Sequence, residues 1–291
     1  MLARMSFERR AVVVREISAS SHAELATRAV APALRPYLRE LNGYCERRPG
    51  RVRRRELPRP GIVAILELGP PLRIAVGAAG RIAARAGGFV AGTGDTYLTT
   101  EHDGAQAGIE LYLTPLGARL VLGAAPAELA GSVVDLADLL PHVERDLLGE
   151  LRELASWDAR FDRVEAFVAE RTARGGARDA AIAAAVRRIE LRAGLVQARV
   201  LARELGVSPK RLIALFRDQV GVPPKQLCRI VRFDRLMQHL RGGSTGRWAD
   251  LARAFGYYDQ AHLARDVGQF CGMSPTQLRA TLLDFPALPT A

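Results

Sequence analysis

The chain has 291 residues, room for two domains of ordinary size, and 48% of them are hydrophobic, which excludes wholesale disorder. The formal net charge is +11, unevenly spread: residues 179–291 hold 17 Lys+Arg against 9 Asp+Glu, and the other 178 residues hold 25 against 22. A basic C-terminal third fits a polyanionic partner, of which double-stranded DNA is the obvious one.

Cys45, Cys228 and Cys271 form no CxxC, so they offer neither a disulfide framework nor a zinc site and suit a reducing compartment. No apolar run reaches the ~18 residues of a membrane span, and the N-terminus has no signal-peptide core. A soluble, cytoplasmic protein with no membrane partner is expected.

In chain order, residues 1–31 are weakly patterned, and the first several are expected to be mobile. Pro32–Leu41 suggests a short helix leading into a strand at Asn42–Glu46. The charge run Arg51–Arg55 reads as a solvated loop rather than a nucleic-acid patch. Residues 58–114 read as β structure: Ile62–Leu68 and Leu72–Val76 flank the turn Gly69-Pro70-Pro71, and Phe89–Ala91, Tyr97–Thr99 and Ile109–Leu113 follow. Thr114-Pro115 has the form of an N-cap and first helical residue for a helix over Leu116–Leu122. Pro126–Ala130 suggests another helical turn, and Val143–Ala155 and Asp158–Arg171 are helical by pattern. Thr172–Arg178, polar and glycine-containing, is the expected interdomain linker between a domain of residues 1–171 and one of residues 179–285. Asp179 then caps a helix over Ala180–Leu191.

The chain next repeats itself. Leu201, Ala202, Arg203 and Gly206 recur as Leu251, Ala252, Arg253 and Gly256. After one extra residue, Leu212, Gly221, Pro224, Gln226 and Leu227 recur as Leu263, Gly272, Pro275, Gln277 and Leu278. Each copy has the plan of a helix-turn-helix. In the first, a helix over Gln197–Leu205 stops at Gly206, which readily takes the left-handed conformation. Ser208 suits an N-cap and Pro209 the position behind it. Leu212, Leu215 and Phe216 then mark the buried face of a second helix. Such a unit sets one face of its second helix in a major groove. The units span about 197–219 and 247–271, and Pro223–Leu240 reads as one helix between them, ended by Gly242-Gly243. At 1.5 Å per residue that rod is about 27 Å long. Successive major-groove faces lie ~34 Å apart, so one monomer can hold its two second helices near that separation.

On these motifs the region from about Asp179 to Leu282 resembles the AraC/XylS family of bacterial transcription regulators, in particular through Gly256-Tyr257, Phe270 and Gly272-Met273-Ser274-Pro275. Arg59–Leu140, and Gly108–Leu140 above all, is similar to the β-rich, cupin-like N-terminal domain of one AraC-type subgroup. The resemblance implies an α+β N-terminal domain and an all-α C-terminal domain with two helix-turn-helix units joined by a long helix. It also implies a DNA-binding transcription regulator, an activator in many relatives. Its partners would be RNA polymerase, a small-molecule effector and a second copy of the chain.

Other chemistry is poorly supported. Gly87-Gly88 and Gly92-Thr93-Gly94 lack the GK[ST] of a P-loop and read as turn glycines. His102-Asp103 is the nearest approach to a metal motif, but His22, His102, His142, His239 and His262 have no ligand spacing. No metal, cofactor or catalytic residue is expected. Two alternatives are a DNA-alkyl acceptor using Cys45, which has no neighbouring cysteines to activate it, and an interaction module without DNA binding, against which the basic balance speaks.

The DNA-reading set follows from the helix faces. Opposite Leu212, Leu215 and Phe216 lie Lys210, Arg211, Ile213, Ala214 and Arg217. The positions matching Lys210, Ile213 and Ala214 are base-facing in the family, where a polar pair is more usual than Ile213-Ala214. That departure shifts the first unit toward apolar contact with thymine methyls, with Lys210, Arg211 and Arg217 on phosphates. Opposite Leu263 and Val267 lie Gln260, Ala261, Ala264 and Arg265. Gln260 has the chemistry for adenine and Arg265 that for guanine. His262 lies nearby, suited to a backbone contact. The bland reading of Arg265 is a surface ion pair with Asp259 or Asp266.

Overall fold

Runs of β-branched and apolar residues broken by glycine turns build the N-terminal half from eleven strands. The computed structural model describes all residues except 1–8, 19, 79, 81, 144–145, 174–179, 244 and 285–291. The strands are β1 (Val12–Ile17), β2 (His22–Arg28), β3 (Leu38–Arg47), β4 (Val52–Glu56), β5 (Ile62–Glu67), β6 (Leu72–Val76), β7 (Ala83–Arg85), β8 (Gly88–Ala91), β9 (Leu98–His102), β10 (Ala105–Leu113) and β11 (Val133–Asp135). They form two antiparallel sheets, a seven-stranded one in the order β1-β2-β3-β10-β5-β8-β11 and a four-stranded one in the order β4-β9-β6-β7. Their inner faces meet through Ile65 and Phe89 on one side and Leu72 and Ile74 on the other. Between the sheets run ionic stitches: Arg85 to Asp135 at 2.5 Å, and Arg54 to Glu46 at 2.7 Å with Gln106 on the same carboxylate at 3.0 Å.

The outer face of the large sheet is covered by helices. Thr114 caps the short α1 (Pro115–Gly117), which runs on as a wide turn over Ala118–Leu122. α2 (Pro126–Leu129), α3 (Leu136–Leu139), α4 (Leu147–Glu153) and α5 (Trp157–Ala173) follow. Leu148, Leu151, Phe161, Val164 and Val168 pack on Ala64, Leu66, Ile109, Leu111 and Leu113, alternate residues that share the outer face. Gly43 on β3 is required here, because a Cβ would collide with the Trp157 ring.

A buried carboxylate ties α5 to the strands. Glu165 takes two bonds from Arg9 at 2.8 and 3.0 Å, one from Arg28 at 3.0 Å and one from the Ala31 N–H at 2.8 Å. Burial acts to raise its pKa, and these donors outweigh burial, so it stays below the usual carboxylate range.

The C-terminal half is helical: α6 (Ala180–Leu191), α7 (Ala198–Glu204), α8 (Pro209–Val220), α9 (Pro224–Arg241), α10 (Trp248–Ala254), α11 (Gln260–Cys271) and α12 (Pro275–Asp284). It has two cores. Ile182, Val186, Ile189, Leu201, Leu212 and Phe216 form the first with Leu227 and Val231 of α9. Leu251, Tyr257, Leu263, Val267 and Phe270 form the second with Ile230, Phe233 and Leu236 of the same helix. The two halves touch at the ends of α8 and α11. A Cβ on Gly221 would lie 2.7 Å from the Pro126 carbonyl, and one on Gly272 would strike the Tyr97 ring. Arg55 donates to the Cys271 carbonyl at 2.9 Å, and Gln269 to Asp95 at 2.7 Å.

Several expectations need correction. Val12–Ile17 and His22–Arg28 are strands, and the helix after Pro32 is a single turn, Pro32–Leu34, so β3 begins at Leu38. The mobility expected of the first several residues concerns positions outside the described residues. Arg51–Arg55 is no loop: from Val52 it is β4, whose arginines pair with Glu101, Glu46 and the second helix-turn-helix unit. Its charges are accommodated because β4 is an edge strand with carboxylates on the facing positions. The helix expected over Val143–Ala155 is only Leu147–Glu153, and most of the expected linker, 174–178, lies outside the described residues.

Burial raises Glu67, 1% exposed, to about 7 against its ordinary 4.5, although Gly69, Ala107 and Tyr44 donate to it. The folded state therefore holds a proton that the unfolded state releases near pH 4.5, so stability falls as pH rises from about 4.5 to about 7. Glu67→Gln keeps the acceptor oxygen and removes that cost. Denaturant titrations at pH 5 and pH 8 are expected to show it gaining on the wild type by about 3 kcal/mol across the interval. Glu165→Ala removes one partner of the buried Arg28, which keeps Asp162 at 2.7 Å, and both side-chain bonds of Arg9 to that carboxylate, and is expected to lower stability by about 2–4 kcal/mol in the same assay.

Candidate nucleic-acid interface

The sequence repeat is also a repeat of bonds. In the first unit the Val207 N–H reaches the Ala202 carbonyl at 3.0 Å and the Gly206 N–H the Arg203 carbonyl at 3.1 Å. In the second the Tyr257 N–H reaches Ala252 at 2.9 Å and the Gly256 N–H Arg253 at 3.2 Å. Gly206 and Gly256 both take the left-handed conformation, at φ 64° and 72°. This is the paired closure that ends a helix on a glycine, and it makes each turn sharp enough to stand the next helix across the previous one.

Each second helix begins on a side-chain cap and ends on a left-handed glycine. The Ser208 hydroxyl accepts from the Arg211 N–H at 3.2 Å, and the Asp259 carboxylate from the His262 N–H at 2.7 Å. Gly221 and Gly272 close the far ends. The single extra residue of the second copy falls in its turn, so the four-residue step from N-cap to first buried leucine is the same, Ser208 to Leu212 and Asp259 to Leu263.

On α8, Leu212 and Phe216 are buried and Leu215 is half-buried, whereas Lys210, Arg211, Ile213, Ala214 and Arg217 are exposed together. Ile213, at 38%, is among the few large apolar side chains left open. None of the three cations on this face is in an ion pair among the described residues. On α11, Leu263, Val267 and Phe270 are buried, Gln260, Ala261 and Arg265 are exposed, and Ala264 is half-buried.

Arg265 is not engaged as surface decoration. Asp266 is buried and belongs to Arg229 of α9 at 2.7 Å, and Asp259 is spent on the N-cap. The Arg265 Nε bonds only back to the Ala261 carbonyl, at 3.4 Å. His262 sits apart from the set. It is half-buried, its ring is edge-on to Tyr257 with centroids 5.4 Å apart, and its Nδ1 accepts from the Tyr258 N–H at 3.4 Å. One residue went unnoticed in the sequence. Tyr258, immediately before the α11 cap, is 92% exposed. Of two successive tyrosines only Tyr257 enters the core, and no pattern in the sequence separates the two.

The Cys45 alternative loses its chemistry. The thiol lies on β3, and burial, with Glu24 next, raises it above its ordinary value, outweighing Arg47 and Arg160. A raised thiol is the opposite of an activated one.

Residues 201–281 match a family model described as a helix-turn-helix domain. No curated protein matches the chain. Among solved structures, ToxT from Vibrio cholerae O395 aligns at 9% identity and a TM-score of 0.47, over 81% of this chain and 98% of that one. An unsaturated fatty acid-bound ToxT from Vibrio cholerae strain SCE256 aligns at 9% and 0.48, over 94% and 100%. The AraC-like transcriptional activator CuxR aligns at 20% and 0.30, over 81% and 88%. The match of residues 201–281 and the doubled turn geometry identify the C-terminal region as a helix-turn-helix domain.

Proposed function

We propose that each monomer reads two adjacent major-groove segments of duplex DNA, with α8 and α11 as its reading helices and the N-terminal domain answering to a small-molecule effector. The observation that carries this reading is that both helices turn an open face to solvent, Lys210, Arg211 and Arg217 on one and Gln260 and Arg265 on the other, while their other faces are locked into cores that share α9. Lys210, Arg211 and Arg217 hold phosphates, and Ile213 and Ala214 meet thymine methyls. Gln260 and Arg265 hydrogen-bond base edges, with Ala261 and Ala264 leaving room for close approach. His262, in the first turn of α11, contacts the DNA backbone, and Tyr258 lies against the sugar–phosphate backbone beside it. RNA polymerase and a second copy of the chain are the further partners this role calls for. No helix among the described residues is long and apolar enough to cross a membrane.

Two measurements test the reading. If several Lys and Arg side chains replace counterions on phosphates, log K falls with log salt by about 0.9 per phosphate neutralised. A flat dependence overturns DNA binding by these faces. The heads are also expected to be unequal. Arg265→Ala costs ~1–3 kcal/mol at the cognate site and relaxes one base pair in a selection from random sequence. Arg217→Ala weakens binding about equally on all sequences and lowers the salt slope by about one unit. An unchanged motif for Arg265→Ala, with one position blurred by Arg217→Ala, reverses the assignment of the heads.

A further inference from the structure

The second helices of the two units end differently. The last carbonyls of a helix have no partner within it and carry the negative end of its dipole. α8 has its own cation there, Arg217, whereas α11 has no basic residue in its last turn. The missing charge comes from the other half of the chain. Arg55 of β4 donates to the carbonyls of Cys271 and Gly272, at 2.9 and 3.2 Å. Side chains alternate along a strand, so Arg54 turns inward to Glu46 while Arg55 stands outward on the end of α11.

Three further contacts converge on the same end. The Arg55 guanidinium lies over the Tyr97 ring, 4.8 Å from its centroid, and that ring is seated on Gly272, where a Cβ would come within 2.3 Å of it. The amide oxygen of Gln269 accepts from Arg229 of α9 at 2.6 Å, and its nitrogen donates to Asp95 at 2.7 Å. One side chain thus joins the connecting helix to the β domain. Leu57, just past β4, packs against the second core. None of these contacts covers the reading face, since Gln260, Ala261 and Arg265 stay exposed. Arg265 lies six residues before Cys271, about 9 Å along the helix axis. A tilt of the held end therefore displaces the Arg265 side chain from a base edge, and hydrogen bonds there tolerate a range of only about half an ångström.

We propose that Arg55, in the β domain, is a positioning residue for the second reading helix. It supplies the cation that α11 lacks at its C-terminus and, with Tyr97 and Asp95, fixes the angle at which Gln260 and Arg265 meet DNA. Base discrimination by the second unit then depends on the N-terminal half through Arg55, and discrimination by the first unit does not. The inference rests on the reading of α8 and α11 as DNA-reading helices. It gives the β domain a part in recognition that requires no effector.

The test is selection of bound sequences from a random pool by the full chain, with affinities and salt slopes then measured on the selected site and on unrelated DNA. Arg55→Gln is expected to flatten the base pairs that Arg265→Ala also flattens and to weaken the selected site by about fivefold. It leaves the first unit's base pairs, the salt slope and the affinity for unrelated DNA unchanged. Arg55→Lys, which keeps the charge, stays within about threefold of the wild type. Asp95→Ala flattens the same base pairs as Arg55→Gln. Arg53→Gln makes the same change of charge on the same face of β4, away from α11, and leaves the motif unchanged. An unchanged motif for Arg55→Gln overturns the proposal. So does equal weakening on all sequences with a lower salt slope, which would make Arg55 a phosphate contact, or tighter binding, which would make the contact a restraint against DNA. Thermal melts confirm folding, and if Arg55→Gln does not fold, Asp95→Ala decides by the same readouts. A wild type that selects no motif defeats the wider reading, whereas one that selects a motif indifferent to Arg55 and Asp95 defeats this inference alone.

Discussion

The geometry of the two helix-turn-helix units depends on the burial of α9 from two sides. Leu227 and Val231 close the first core while Ile230, Phe233 and Leu236 close the second. A helix with both faces buried cannot roll or slide without emptying one core, and packed interiors resist such voids. Polar contacts add direction to that restraint. Arg229 holds the buried Asp266 and Gln269 of α11, and Phe233 meets the Phe270 ring edge-on at 4.8 Å. The second head is thus fixed to the connecting helix by charge as well as by apolar contact, and the first by apolar contact with the glycine-closed turn behind it.

The N-terminal half solves a different problem, that of holding two sheets and a long helix together with many charges inside. Its answer is to saturate selected carboxylates. Glu165 has four donors, and Glu46 has Arg48, Arg54 and Gln106. Glu67 has only uncharged donors and keeps its proton to higher pH, whereas Glu165 stays below its ordinary range. Burial acts to raise both glutamates, and only Glu165, with guanidinium groups bonded to its carboxylate, ends below the ordinary range.

What the sequence revealed follows from how local each determinant is. The helix-turn-helix units were legible because Gly206 and Gly256 must adopt positive φ, Ser208 and Pro209 make a cap, and leucine spacing marks a helical face. Each is a decision within a few residues. β1 and β2 were not legible, since a half-exposed edge such as VVVREI has neither clean alternation nor a turn signature before it. β4 was misread because its arginines find partners on β3 and β9, about 8 and 48 residues away in sequence. The candidate DNA-reading residues were legible as a helical face, and the structure leaves most of them open. The capture of Asp266 by Arg229, which frees Arg265, was not, because it joins helices whose packing no local pattern encodes. The same holds for Gly221 and Gly272. Sequence explains them as helix stops, and only the fold brings each against the N-terminal half.

The single extra residue in the second turn gives the molecule a polarity. The two units follow one another in the same chain direction, and they differ: one turn is longer, and one face carries Ile213 and Ala214 among three cations where the other carries Gln260 and Arg265. A chain of two unlike heads in tandem has no twofold axis of its own, so a site that it fills has a front and a back. Reversing such a site on the duplex would carry the N-terminal half to the opposite flank. On the proposed reading, the orientation of a bound chain along DNA is thereby written into the chain itself.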